Sequence, residues 1–326
     1  MTYNITGEAG GRIVHGDCLA QADQIENGSV DLILTDPPYG TVKGANLDGW
    51  ENQSTEWDVA IPPKEILNIS ERLLRKNGKL ILFAQEPYTS ELITSATANL
   101  PFSYRMVWLK DHFANSLAAK EAPVNYFEDI LVFTKEYDNY KTYELRNYAK
   151  RVYDYINLAL PEINKRLGHR KSEHFFYIDT TQFELCTEET YRELIEEFGI
   201  DTMSGFKPYD ELEEMRAENV FNLPDGEKYK SNVFEYDKPQ SNHHPTQKPV
   251  ALLEDLITTY THEGDRVVDL TAGSGSTAVA AHRQRRECIA IEKDRDYYET
   301  AINRVSSIDG SDVSTTGQSN LEAYSD

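Results

Sequence analysis

The sequence predicts a doubly wound α/β domain that is interrupted by a helical insert and ends in a disordered tail. Three observations carry this reading. Short apolar runs suited to buried parallel strands recur at 12–15, 30–34, 79–84, 266–270 and 287–291. Helical patterns lie between them, as at 63–74 and 249–260, and alternation of strand with helix is the mark of a parallel sheet covered on both faces. From about residue 136 the texture shifts to charged helix formers and tyrosine, and it shifts back near residue 236. The expected division is therefore 1–135 and 236–305 for the two parts of the α/β domain, 136–235 for the insert and 306–326 for the tail.

The remaining elements follow from local signals. The runs at 104–109 and 128–133 are richer in β-branched and aromatic residues and are expected to be further strands. In the insert, helices are expected at 144–160, 161–167, 188–198 and 208–217, with Pro161 opening one and Gly168 closing it. Residues 161–178 have a helix-turn-helix rhythm, and 219–236 reads as a short hairpin. After residue 306 neither periodicity nor basic residues remain, as expected of a disordered segment.

Bulk properties narrow the function. At 326 residues and 39% hydrophobic the chain can build a substantial core, but no window reaches the roughly 18 to 20 apolar residues that span a bilayer. The first residues lack the basic and then apolar pattern of a secretory signal, so neither a membrane nor an export role is expected. Cys18, Cys186 and Cys288 are scattered, which suggests reduced thiols in a cytoplasmic setting and no metal site. A net charge of -22 taken alone argues against nucleic acid. Locally the balance reverses. Residues 141–171 hold eight Lys or Arg against three acids, whereas 176–217 hold twelve acids against three Lys or Arg. The basic stretch is either a phosphate-gripping surface, through Arg146, Lys150, Arg151, Lys165, Arg166, Arg170 and Lys171, or a solvated helical face. Arg170, Lys171, His174, Phe175 and Phe176 either approach bases or belong to an aromatic core stripe.

The chemistry concentrates in two places. An apolar strand runs into Thr35 and then Asp36-Pro37-Pro38-Tyr39, at the strand end where open α/β sheets collect ligands. The prolines fix φ and donate no hydrogen bond. The tetrapeptide thus presents a carboxylate, a rigid carbonyl and an aromatic face, a set that matches a planar NH2 group on a ring. Two acceptors out of the ring plane favour a pyramidal nitrogen with a free lone pair. A rigid surface turn is the alternative. The second place is 264–294, where a strand containing Asp269 enters a turn with Thr271, Gly273, Ser274 and Gly275, a helix starts near Ser276 and Thr277, and a second strand ends before Glu292. Glycines admit a ligand close to the backbone, and an acid about 20 residues on suits ribose hydroxyls. A P-loop is not expected, because no Lys-Ser or Lys-Thr follows the second glycine. A nucleoside cofactor is favoured over a packing turn. HHPTQKP at 243–249 reads as a loop shaping the cofactor pocket, with His243 and His244 lacking the further ligands of a metal site and Lys248 either meeting a cofactor carboxylate or solvated.

Taken in order, these motifs resemble the β-class amino methyltransferases of DNA, the N4-cytosine/N6-adenine group. HGDCL at 15–19, TDPPYG at 35–40, NGKLILFAQEPYTSELI at 77–93, the stretch 108–135, HPTQKPVALLEDLI at 244–257, DLTAGSGST at 269–277 and IAIEKD at 289–294 carry the likeness, which covers about 1–135 and 230–305. It implies a circularly permuted, Rossmann-like methyltransferase fold with the insert as target-recognition domain, S-adenosyl-L-methionine as cofactor and double-stranded DNA as substrate, methylated at adenine N6 by base flipping. Asp36, Pro37, Pro38 and Tyr39 would be catalytic. Asp17, Cys18, Asp36, Thr246, Lys248, Asp269, Thr271, Gly273, Ser274, Gly275, Thr277 and Glu292 would line the cofactor. Thr271 stands where the family commonly has Phe, which puts that contact in question. N4-cytosine methylation is the alternative chemistry, and methylation of RNA or a protein amide is a further one. An inactive DNA-binding protein of the same fold is a reading from another class, opposed by intact Asp36, Gly273, Gly275 and Glu292. C5-cytosine chemistry is not expected, since no cysteine follows a proline. The resemblance leaves room for a homodimer and a cognate restriction endonuclease, in the cytoplasm of a prokaryotic cell or as a viral protein acting there.

Overall fold

A computed structural model describes residues 1–7, 9–40, 59–114, 123–137, 144–180, 182–215, 219–224, 226–239 and 246–309. Among the described residues, nine strands form one sheet: β1 (Thr2–Asn4), β2 (Gly11–His15), β3 (Val30–Thr35), β4 (Leu74–Ala84), β5 (Phe102–Ala114), β6 (Asn125–Thr134), β7 (Val233–Glu235), β8 (Arg266–Asp269) and β9 (Glu287–Glu292), in the spatial order β1-β2-β9-β8-β3-β4-β6-β5-β7. From β2 to β4 all neighbours are parallel, and β6 is antiparallel to both β4 and β5. The chain leaves β3 towards β4 on one side and leaves β8 towards β9 on the other. The topological switch point therefore falls between β3 and β8, where such sheets bind ligands.

Period-two patterning explains the layering. On β3, Leu32 and Leu34 face one core while Ile33 faces the other, as alternate side chains of a strand must. The second core is covered by α1 (Cys18–Gln21), α2 (Pro63–Leu73) and α3 (Tyr88–Thr94), through Cys18, Ile66, Leu67, Leu73, Tyr88 and Leu92. Pro63 opens α2 at a position whose missing N–H costs nothing.

The helical insert follows as α4 (Glu144–Ile156), α5 (Leu160–Leu167), α6 (Glu173–Phe176), α7 (Glu188–Phe198) and α8 (Tyr209–Glu214), with its own core around Tyr148, Val152, Ile163, Phe175, Tyr191 and Leu194. The first core of the sheet is covered by α9 (Val250–Tyr260), α10 (Ser276–Arg283) and α11 (Arg295–Asp309).

Several expectations change. The helix expected over 144–160 ends at Ile156, because Asn157 takes a positive φ of 49° and Ala159 is extended ahead of Pro161. Gly168 closes α5 with φ 76°, as its position suggests. The helix expected over 208–217 is Tyr209–Glu214, and 216–218 lie outside the described residues. No hairpin forms over 219–236 among the described residues. Instead β7 adds in parallel to the edge of β5, so 233–235 belong to the main sheet although they were expected in the insert. Helix α6 has four residues, too short for the recognition helix of a helix-turn-helix, and it buries Phe175 and Phe176. Residues 306–309, expected in the tail, are helical, because α11 continues to Asp309; the rest of the expected tail, 310–326, lies outside the described residues.

Gly275 has φ 80°, and a Cβ there would sit 2.7 Å from the Ala301 Cβ on α11. Both terms oppose a side chain, so Gly275→Ala is expected to destabilise the protein by about 1–3 kcal/mol. Urea unfolding of the two proteins checks this, and an unchanged midpoint would contradict the packing described.

Candidate active site

The site is built on the tips of β3 and β8. Thr35, the last residue of β3, donates its hydroxyl to Asp269 Oδ1 at 2.9 Å, and the Thr271 hydroxyl lies 2.8 Å away. Thr271 donates its N–H to the same Asp269 oxygen at 3.1 Å and its hydroxyl to the Asp36 carbonyl at 3.0 Å. Position 271, whose aromatic contact was in question, thus contributes to a polar seam instead. Asp269 is buried, and desolvation pushes its carboxyl up to about 6 against the hydrogen bonds from Thr277, Thr271 and Thr35. It pins the two strand tips and accepts from Thr277, rather than lining open space.

Beyond Thr35, the Asp36 side chain is 21% exposed. Tyr39 donates its hydroxyl to Oδ1 at 2.5 Å, and the Lys248 ammonium binds Oδ2. The Tyr39 ring lies 6.0 Å from that of Tyr88, tilted by 36°. Lys248 was expected to meet a cofactor carboxylate or solvent. It is buried and directed at Asp36, with Glu128 Oε2 at 3.2 Å and the Thr246 carbonyl at 3.3 Å. Glu128 in turn is bound by Lys110. Burial pushes Asp36 above the usual carboxylate range, against Lys248 and with Glu128 adding to the rise. Glu128 is also buried, but Lys248 and Lys110 together hold it below its ordinary value. Neither Glu128 nor Lys110 was singled out from the sequence, because their pairing depends on β5–β6 register.

Next to this carboxylate, the turn after β8 carries Gly273 and Gly275 into α10. Glu292, at the tip of β9, accepts from the Gly273 N–H at 2.6 Å and the Asp294 N–H at 2.7 Å. Burial raises its carboxyl to about 7. Asp17 caps α1 by accepting from Leu19 N–H at 3.0 Å, and Lys293 reaches it at 2.9 Å, which lowers its pKa. Cys18 is buried, and desolvation raises its thiol to about 11. Ser274 is held from behind by Arg304 of α11, which donates to its carbonyl at 2.6 Å and its hydroxyl at 2.9 Å, and to Ser276 at 3.1 Å. Arg304 was invisible in the sequence, lying 30 residues from the turn it braces. Thr246 is exposed, and His243 and His244 lie outside the described residues. Among the described residues, no group of acidic, His or Cys side chains could hold a metal, and no helix is long and apolar enough to cross a membrane.

The basic stretch of the insert does not form a free cationic face. Arg146 is buried, donates to the Ile178 and Thr180 carbonyls and lies over Phe183 at 4.7 Å, which removes it as a phosphate contact. Lys150 pairs with Asp154 at 2.7 Å, Lys165 with Glu162 at 3.8 Å and Arg170 with Glu173 at 2.7 Å. Arg166 and Lys171 reach Glu197 and Glu189 of α7 at 3.9 and 3.7 Å. Arg151 lies over Tyr148 at 5.5 Å. Charges segregated along the chain are interleaved in space, because α5 and the turn after it pack beside the acidic α7.

The fold and this site define a class: a permuted, doubly wound α/β protein with an Asp-Pro-Pro-Tyr strand end beside a glycine turn. The chain belongs to the DNA methylase family of the N6/N4 group, whose model matches residues 30–303. It is 27% identical over 309 residues to the DNA adenine methyltransferase YhdJ of Escherichia coli K12, covering 90% of this chain and 82% of that protein. It is 22% identical over 303 residues to the type II methyltransferase M.HpaI of Haemophilus parainfluenzae, covering 91% and 74%. Its fold is similar to that of M1.HpyAVI in complex with SAM, with a TM-score of 0.50, 19% identity and coverage of 90% and 98%.

The raised carboxyl of Glu292 has a consequence for stability. A carboxyl whose folded pKa lies above its ordinary 4.5 favours the folded state while protonated. That contribution is complete below about 4.5 and is lost as pH rises through about 7. Glu292→Gln removes the dependence. The stability of the variant relative to wild type is therefore expected to rise by roughly 1–3 kcal/mol between these limits. Parallel melting-temperature curves for the two proteins across this range would contradict it.

Proposed function

We propose that the protein transfers a methyl group from S-adenosyl-L-methionine to the N6 amine of adenine in double-stranded DNA, at a specific sequence. The observation that carries this is the position of Asp36: a partly exposed carboxylate at the switch point, tied through Thr271 to the glycine turn after β8. The donor set fits the cofactor. Glu292 offers a buried carboxylate one strand over from that turn, suited to ribose hydroxyls, and Asp17 stands at the tip of the next strand. When bound, S-adenosyl-L-methionine supplies an electrophilic methyl group on a sulfonium. M1.HpyAVI was solved with this molecule.

The protein's part is to present the amine. A flipped adenine leaves the stack and enters beside Tyr39, whose ring takes the base face while its hydroxyl gives up Asp36 Oδ1. Asp36 then accepts one N–H and the Pro37 carbonyl the other. The nitrogen lone pair is freed and must lie in line with the methyl at about 3–3.5 Å. Pro38 keeps the turn rigid. The bound cofactor would supply the methyl group and keep the electron pair of the broken S–C bond on its sulfur, and Asp36 would take the surplus N–H proton of the methylated amine. The name of the YhdJ relative supports adenine as the base.

The helical insert serves as the target-recognition unit, with Lys150, Arg151, Lys165, Arg166, Arg170 and Lys171 as its phosphate contacts. Their surface ion pairs are weak enough to be exchanged for phosphates. The type II name of the M.HpaI relative extends the proposal to a cognate restriction endonuclease. A homodimer and a place in the cytoplasm of a prokaryotic cell complete the reading.

Asp36→Ala is expected to abolish methyl transfer, a loss of at least about two decades given a charged hydrogen bond plus alignment, while cofactor affinity stays measurable. Labelled cofactor with duplex DNA, followed by mass spectrometry of nucleosides, reads this and separates N6-methyladenine from N4-methylcytosine. Wild-type protein yielding neither would overturn the function, and wild-type rate in the variant would overturn the role of Asp36. Lys150→Glu with Arg151→Glu is expected to flatten the slope of log affinity against log salt by about 2. An unchanged slope would remove both from the interface.

A further inference from the structure

Four charged side chains from four elements form an unbroken buried chain: Asp36 after β3, Lys248 just before α9, Glu128 on β6 and Lys110 on β5. The charges alternate and cancel. Side-chain exposure is 2% at Lys110, 11% at Glu128, 6% at Lys248 and 21% at Asp36. The chain therefore opens to solvent mainly at the carboxylate that faces the crevice. The Lys248 ammonium donates to Asp36 and to the Thr246 carbonyl, and it lies 5.0 Å from the Phe83 ring centroid. Glu128 Oε2 is 3.2 Å from Lys248 but makes no aligned hydrogen bond, so that contact is chiefly a charge interaction. Lys110 closes the far end, over Trp108 at 5.1 Å.

Such a network is a poor way to gain stability. Desolvating four charges costs about as much as their attraction returns, and apolar replacements often do as well. What it achieves is orientation. With Oδ2 fixed by an ammonium that is itself fixed by a second carboxylate, the Asp36 side chain is held in one orientation, with Oδ1 on the Tyr39 hydroxyl.

We propose that Lys248 holds the Asp36 carboxylate ionised and aimed at the target amine, and that Glu128, anchored by Lys110, holds Lys248 in place, which makes both of them positioning residues. Lys248 thereby serves the reacting carboxylate and makes no contact with the cofactor. This rests on the methyl-transfer reading above.

The two residues act on Asp36 with opposite sign. The groups facing Asp36 are Tyr39 from its own loop, Lys248 from the approach to α9, Glu128 from β6 and Asp269 from β8. Burial raises the Asp36 carboxyl, Lys248 opposes the rise and Glu128 adds to it. Lys248→Met therefore moves the protonation of Asp36 to higher pH. Glu128→Gln, which keeps the shape of the side chain, moves it to lower pH.

The test is the acid limb of single-turnover methyl transfer in the full chain, with cofactor affinity and a carboxyl 13C NMR titration of Asp36 measured alongside. The acid limb is expected to rise by on the order of one pH unit in Lys248→Met and to fall in Glu128→Gln. Lys248→Arg is expected to restore the wild-type limb, and cofactor affinity to stay within about threefold throughout. Limbs and titrations that coincide with wild type would overturn the proposal. So would a loss of cofactor affinity in Lys248→Met with no shift in the Asp36 titration, which would return Lys248 to the cofactor. If Lys248→Met fails to fold, Glu128→Gln and Lys248→Arg decide alone. Wild-type protein that methylates no DNA would instead overturn the functional reading, and the NMR titration would still judge the charge chain.

Discussion

Everything at the site hangs on the junction between the ends of β3 and β8. Two strands that diverge into separate halves of the fold are tied there by Thr35, Asp269 and Thr271. The same threonine reaches the Asp36 carbonyl, so Asp36 and the glycine turn share one rigid reference. Each bond is modest on its own, but a buried polar group left unmatched there would cost about 1–3 kcal/mol. Orientation across the crevice is thus set by a few short-range hydrogen bonds, not by the large apolar cores behind them.

Those cores do a different job. Alternation on β3 and β4 sends neighbouring side chains to opposite faces, and each face is covered by its own group of three helices. This is why the strand tips can be polar while the sheet stays secure. Arg304 extends the arrangement, since α11 packs on one core and also braces the Ser274 carbonyl from behind. The turn is held from two sides, by Arg304 and by Glu292.

Much of this was legible beforehand, for identifiable reasons. Strands buried on both faces read as apolar runs, so β2, β3, β8 and β9 were placed within a residue or so. Asp36, Gly273, Gly275 and Glu292 stand at strand ends, where local pattern and position coincide. What stayed hidden depends on contacts between distant segments. Glu128 and Lys110 lie within strands and look like ordinary surface charges until the register of β5 and β6 turns both inward. Lys248 could be assigned to the pocket but not to its partner. The basic stretch was legible as a charge but not as a set of contacts. Counting charge along the chain cannot reveal that Arg166 and Lys171 meet acids of α7, or that Arg146 is buried. The hairpin expected near 219–236 failed because the free edge of β5 offered β7 a better partner than a local turn could.

The order of segments has one further consequence. The half carrying Asp36 lies at the start of the chain, and the half carrying Gly273, Gly275 and Glu292 lies more than 200 residues later. Between them sits a helical unit with a hydrophobic centre of its own. During synthesis on the ribosome that unit can collapse before β8 exists, while β3 waits with one edge unpaired. Assembly of the crevice is thereby postponed until β8 and β9 have been made, so no product lacking those strands can carry a finished site.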